Sequence, residues 1–201
     1  MPTVYQSIRD DVRDGDVALF RGGGLIARIS DGPYTHAATC LWVRDTLLLA
    51  EYREWHGGRI VTLSSQITKY PGAIDLYRPT CNRPLARYAA ELMARQAGHE
   101  YGWRNIKLAA LRRLVLFRFL TGWKPQCRDT TPSKWSEPKI CSQAVVWSLR
   151  KSAKHYGSSW FPCEGLSDKC IEPQTIADDM GHFRLWVSGL THASKVSGAR
   201  D

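Results

Sequence analysis

Between Val17 and Tyr77 the apolar residues fall in short runs separated by turn residues, the pattern of strands. Asp14-Gly15-Asp16 leads into a first strand, Val17–Phe20. Thr35–Val43 is apolar and β-rich, Asp45 breaks it, and Thr46–Tyr52 reads as its partner. Arg59–Leu63 and Ala73–Tyr77 are two further strands, separated by a loop with Pro71-Gly72. Consecutive short strands predict an antiparallel meander. A short apolar piece, Leu25–Ile29, lies between Arg21-Gly22-Gly23-Gly24 and the turn Asp31-Gly32-Pro33.

The pattern then turns helical. Pro84 suits the first position of a helix running to about Ala97, with Gly98 and Gly102 punctuating its end. Arg104–Leu120 has helical composition; its apolar stripe of Ile106, Ala110, Phe117 and Leu120 is interrupted by Arg113. Residues 121–138 carry Pro125, Pro132 and Pro138 and read as a loop. Ile140 to about Lys154 predicts a helix, and Pro173 opens a short one to Met180. Phe183–Val187 alternates as a last strand, and 194–201 is expected to fray. Strands first and helices after predict an α+β chain, read as a single domain over 1–201.

Composition narrows the class. With 201 residues, 43% hydrophobic and 23% charged, the chain can bury a core, which excludes disorder. The longest apolar run, Leu108–Leu120, has 13 residues and contains three arginines, too short and too charged to cross a membrane. No apolar signal segment follows the N-terminus, so the chain is expected to be cytoplasmic as synthesised, with action at the cell envelope left open. The formal charge is +9, and its distribution is uneven. Residues 1–82 balance at 9 basic and 9 acidic, residues 83–154 hold 15 and 4, and residues 155–201 hold 4 and 6. The middle third therefore fits either an anionic partner, such as a membrane surface or an acidic polymer, or a solvated face. With no nucleic-acid-binding signature, nucleic acid ranks last among such partners.

Six cysteines without a C-x-x-C pair or a secretory segment read as free thiols. Cys163 and Cys170 with His155 or His182 match no zinc spacing, and no metal or cofactor is expected. Gly22-Gly23-Gly24-Leu25-Ile26-Ala27 formally matches G-x-G-x-x-A, but the turn at Asp31 comes too soon for a crossover helix.

A thiol, an imidazole and a carboxyl group carry more weight. Cys141 opens the helix predicted after Ile140, where unpaired N–H groups and the helix dipole favour a thiolate and can hold an oxyanion. Lys139 is expected to act in the same direction. His36 stands at the start of a strand, the placement a thiol–imidazole pair requires. Glu51 ends the next strand and reaches the imidazole if the two strands pair as a hairpin. Taken singly, each has an ordinary alternative: a buried core cysteine, a half-exposed histidine, a surface glutamate.

An ordered set of segments passes through these residues: G-D-V-A-L-F-R at 15–21, P-Y-T-H-A at 33–37, L-L-L-A-E-Y at 47–52 and G-G-R-I-V-T-L at 57–63. A-I-D-L-Y-R-P at 73–79, G-H-E-Y-G-W at 98–103, I-C-S-Q-A-V-V-W at 140–147 and E-P-Q-T-I-A-D-D at 172–179 complete it. In content and order the set resembles the permuted papain-fold, NlpC-type cysteine hydrolases of the YiiX/YaeF-like group. That resemblance implies a circularly permuted papain-like fold, with an antiparallel sheet packed against helices. It implies Cys141 as nucleophile, His36 as general base and Glu51 as orienting acid, with Tyr34 and Ser142 shaping the substrate and oxyanion site. The implied reaction is hydrolysis of amide bonds in cell-wall-type peptides through an acyl-enzyme. Lipid acyl hydrolysis or transfer at an anionic membrane, using residues 83–154, is the first alternative. A basic binding module without catalysis is the second. The oligomeric state is not readable from the sequence.

Overall fold

A computed structural model describes residues 4–23, 32–103, 134, 136, 137, 139–167 and 171–180, and the backbone of 184–186. The described residues build an α+β architecture around an open antiparallel sheet. Its strands are β1 (Val17–Arg21), β2 (Tyr34–Val43), β3 (Thr46–Arg53), β4 (Gly57–Thr62), β5 (Ile74–Tyr77) and β6 (Arg184–Trp186), in the order β4-β3-β2-β1-β5-β6. The helices are α1 (Val4–Ile8), α2 (Leu63–Lys69), α3 (Arg83–Ala94), α4 (Cys141–His155) and α5 (Pro173–Asp179).

Successive strand residues enter opposite cores, as the pleat demands. Val17 and Leu19 join Ala37, Tyr52 and Tyr77 in a cluster with Ala89 and Met93 of α3, Val145 and Leu149 of α4, and Ile176 of α5. Ala18 and Phe20 join Ala38, Cys40 and Leu49 in a second cluster with Ile8 of α1 and Leu63 of α2. The sheet is thus buried on both faces, which explains why β2 shows an apolar run rather than clean alternation. α4 lies deepest: Trp147 is almost fully buried, and so is Arg150, whose guanidinium donates to the carbonyls of Pro162 and Cys163.

The first four strands form the expected meander, but β5 does not continue it. It returns to pair with β1 on the side away from β2, Val17 opposite Tyr77. α2 makes that return, over residues whose pattern predicts a strand end and a loop. Thr62 closes β4 and also caps the helix, its side chain accepting from Ser65 N–H. α1 is five residues long, too short to show a helical period. α3 stops at Ala94 rather than Ala97, although Asn82 caps its start as the Pro84 signal suggests. The expected Arg104–Leu120 helix, the Leu25–Ile29 piece, Cys127, Cys170, His182 and the 194–201 tail lie outside the described residues. Cys40, Cys81, Cys141 and Cys163 are free. Among the described residues no helix is long and apolar enough to cross a membrane.

Candidate active site

Three neighbouring strands and one helix supply the site. β2 and β3 pair from Val43 opposite Thr46 to Ala38 opposite Glu51. His36 lies two residues beyond the last pair, diagonal to Glu51, which is within reach of a side-chain contact. His36 Nε2 and Glu51 Oε2 are 2.5 Å apart. β4 continues the row: Arg59 stands directly opposite Glu51. Its Nε donates to Glu51 Oε1 at 2.8 Å, and its Nη2 lies 2.6 Å from the same oxygen. Glu51 is fully buried, and both of its oxygens are engaged.

Cys141 is the first residue of α4. Ile140, the capping residue, makes no side-chain cap; Gln143 instead accepts weakly from Ile140 N–H, at 3.4 Å. No side chain of the capping residue competes for the donors of the first turn. The thiol is hydrogen-bonded to His36 and receives the N–H groups of Ala37 and Ser142. Ala37 can contribute because its strand partner on the β3 side is missing: registered pairing begins one residue later. With Nε2 on Glu51, the other ring nitrogen, Nδ1, faces the sulfur. Phe20 meets the imidazole edge-on, with centroids 5.0 Å apart.

The electrostatics are mutual. Burial raises the Cys141 pKa, but the His36 charge and hydrogen bond, with the two N–H groups, bring it below the ordinary thiol value. Burial opposes the charged imidazole too. The charge and hydrogen bond of Cys141, followed by those of Glu51, outweigh it and lift His36 to about 9. Burial would raise Glu51, but His36 first and Arg59 second hold its carboxyl at about 2. The arrangement therefore favours the charged form of each of the three groups: thiolate, imidazolium and carboxylate. Cys141 is 5% exposed and His36 7%, so the pair is shielded from solvent.

Tyr34 and Ser142, expected beside the substrate, have their hydroxyls committed elsewhere. Tyr34 donates to Asp75 Oδ2 at 2.5 Å and shares a 2.7 Å contact with the Tyr77 hydroxyl. Asp75 in turn receives Arg21 on both oxygens. Burial and these partners raise the Tyr34 pKa. Ser142 Oγ donates to the Ile171 carbonyl, fixing α4 against the segment before α5. What Ser142 offers the site is its backbone N–H. Lys139 does not play its expected part either. Its ammonium donates to the carbonyls of Lys134 and Glu137 and lies 4.6 Å from the Trp147 ring centroid, so it secures the chain before α4.

Sequence reasoning missed Arg59 and the segment 96–103. Gly58 N–H donates to the His99 carbonyl and Gly98 N–H to the Gly58 carbonyl, which ties the segment to β4. At its other end Tyr101 bridges to Lys139, and Gly102 N–H donates to the Lys139 carbonyl. The segment thus brings Tyr101 within the electrostatic reach of the thiol. Burial first, and then the Cys141 charge, raise the pKa of its phenol. The Trp103 ring lies 5.2 Å from Tyr101 and 4.6 Å from Trp55, which is 83% exposed. Tyr101, Trp103 and Trp55 thus form an aromatic row that reaches the surface. The G-H-E-Y-G-W segment was a visible signal for it, but its contact partner was not.

Fold and site together define an α+β chain with an open antiparallel sheet that brings a thiol, an imidazole and a carboxylate into one hydrogen-bonded set. Among solved structures it is similar to the metalloprotein YiiX from Escherichia coli O157:H7, with a TM-score of 0.52 and 12% identity over 83% of this chain and 92% of that one. That likeness shows a YiiX-like fold. No protein-family model matches the sequence, and no curated protein does.

Proposed function

We propose that this protein is a thiol hydrolase with a permuted papain-like, NlpC-type arrangement, acting on amide bonds in cell-wall-type peptides through an acyl-enzyme. The observation that carries this reading is Cys141 at the first position of α4, hydrogen-bonded to an imidazole whose far nitrogen rests on a buried carboxylate. The carboxylate fixes the ring and stabilises its charge. The thiolate attacks the substrate carbonyl, and first-turn N–H groups of α4 receive the developing oxyanion. The tetrahedral adduct collapses: the C–N bond breaks, and His36 gives its proton to the departing amine. Water then attacks the thioester, His36 takes a proton from it, and Cys141 leaves with the electron pair of the broken C–S bond. The aromatic row of Tyr101, Trp103 and Trp55 offers the substrate an apolar wall.

The structural neighbour is described as a metalloprotein. Here Cys141 and His36 would supply two donors, but Glu51 is held by His36 on one oxygen and Arg59 on the other. Among the described residues no group of three or more His, Cys, Asp or Glu side chains could hold one ion. This donor set does not fit a metal centre, and no step is routed through one.

The test is incubation with cell-wall-derived peptides, followed by intact-protein mass spectrometry and analysis of released fragments. Wild type is expected to release fragments and to carry a transient acyl adduct on Cys141, and Cys141→Ala to do neither. Absence of turnover on any amide or ester would remove the reading.

A further inference from the structure

The register places a fourth residue in line with the three. Arg59, Glu51 and His36 occupy adjacent strands, and Arg59 is the direct cross-strand partner of Glu51. Its fork takes Oε1 through Nε and Nη2, at 2.8 and 2.6 Å, while Oε2 serves His36. A carboxylate with nothing on Oε1 could rotate, and its whole charge would act on the imidazolium. We propose that Arg59 is a positioning residue of the site: by occupying Oε1 it leaves a single, partly neutralised oxygen to hold His36, so that the imidazolium keeps its orientation yet releases its proton readily. This rests on the triad reading above and deepens it.

The chemistry is a balance of two needs. His36 must hold a proton while the thiolate waits and must give that proton to the leaving amine. A bare buried carboxylate would hold it too firmly, because the attraction grows in a low-dielectric interior. A guanidinium is suited to the correction, since it stays charged and its planar fork matches a carboxylate. Among the described residues, the groups that meet the pair come from three elements. From α4 His36 meets Cys141, from β3 Glu51, and from β1 the uncharged Phe20. Beyond the thiol stands Tyr101, whose phenol feels Glu54 and Arg53.

The bland role for Arg59 is to satisfy a buried carboxylate. The two roles predict opposite signs. If Arg59 only holds Glu51 in place, removing it mimics Glu51→Gln, and His36 loses its proton at lower pH. If Arg59 moderates the carboxylate charge, removing it makes His36 keep its proton to higher pH.

The experiment titrates the His36 ring by NMR in wild type, Arg59→Gln, Arg59→Lys and Glu51→Gln, with iodoacetamide alkylation of Cys141 followed in parallel. The proposal expects the His36 midpoint to rise by about one pH unit in Arg59→Gln. It expects a smaller rise in Arg59→Lys, whose ammonium lacks the fork, and a fall in Glu51→Gln. Should Arg59→Gln fail to fold, the charge-retaining Arg59→Lys carries the same sign test. A midpoint that is unchanged or lowered in the Arg59 variants overturns the proposal while leaving the triad standing. If wild-type Cys141 shows no His36-dependent reactivity below the ordinary thiol range, the triad reading fails and this proposal falls with it.

Discussion

His36 has two partners that both favour its charged form: the Cys141 thiolate accepts from the ring, and Glu51 holds it still. The pair is buried, so neither charge survives without the other. His36→Ala should therefore leave a thiol governed by burial, protonated at neutral pH. Alkylation of Cys141 near pH 6 is expected to fall by roughly 100-fold or more. Peptide mapping checks this against Cys81, which does not touch His36; an equal fall at both thiols would mean loss of fold instead. These three residues were legible in the sequence because Cys141 opens a helix and His36 and Glu51 lie near the ends of two paired strands. Arg59 was not. Its meaning depends on the β3–β4 register that sets it opposite Glu51, and a lone arginine in G-G-R-I-V-T-L carries no sign of that pairing. Lys139 shows the converse error: adjacency in sequence suggested action on the thiol, whereas its long side chain reaches back to the carbonyls before α4.

At the scale of elements, the site depends on how β4 receives the segment 96–103. Gly57 has φ +68°, and a Cβ there would strike the His99 carbonyl oxygen; a Cβ on Gly58 would strike that of Gln96. Gln96 is itself buried and accepts from the Tyr52 hydroxyl at 2.9 Å, so it has little room to retreat. Gly58→Ala should then cost about 1–3 kcal/mol, measured as a shift in the urea midpoint. Because the same segment brings Tyr101 within the electrostatic reach of the thiol, the pH profile of Cys141 alkylation should change with it. A neutral substitution would show that the segment is not clamped. The glycine pair was visible in the sequence, but only a second chain passing over β4 gives it a purpose. The same holds for β5. Its strand was readable, whereas its return to the far side of β1 depends on α2, whose capping Thr62 sits inside a run that also reads as strand.

For the whole molecule, the site's charges become a dependence of stability on pH. Glu51 titrates near 2 in the folded chain against 4.5 when exposed. Its contribution is thus complete above 4.5 and lost as pH falls through about 2, on the order of 3 kcal/mol. His36 and Cys141 must be counted together. The lowered thiol adds stability as pH rises through its folded value. The raised imidazole loses its contribution between 6.5 and about 9, so the two slopes oppose each other. Asp16 acts in the other direction. Burial raises its carboxyl above 3.8 despite Arg78, so it costs stability as pH climbs through its folded value. The urea midpoint is therefore expected to climb through the acid range as Glu51 ionises. Glu51→Gln should remove the lowest part of the climb, and Asp16→Asn should steepen it. An acid-range profile for Glu51→Gln parallel to wild type would mean that His36 and Arg59 do not hold the carboxylate in its charged form.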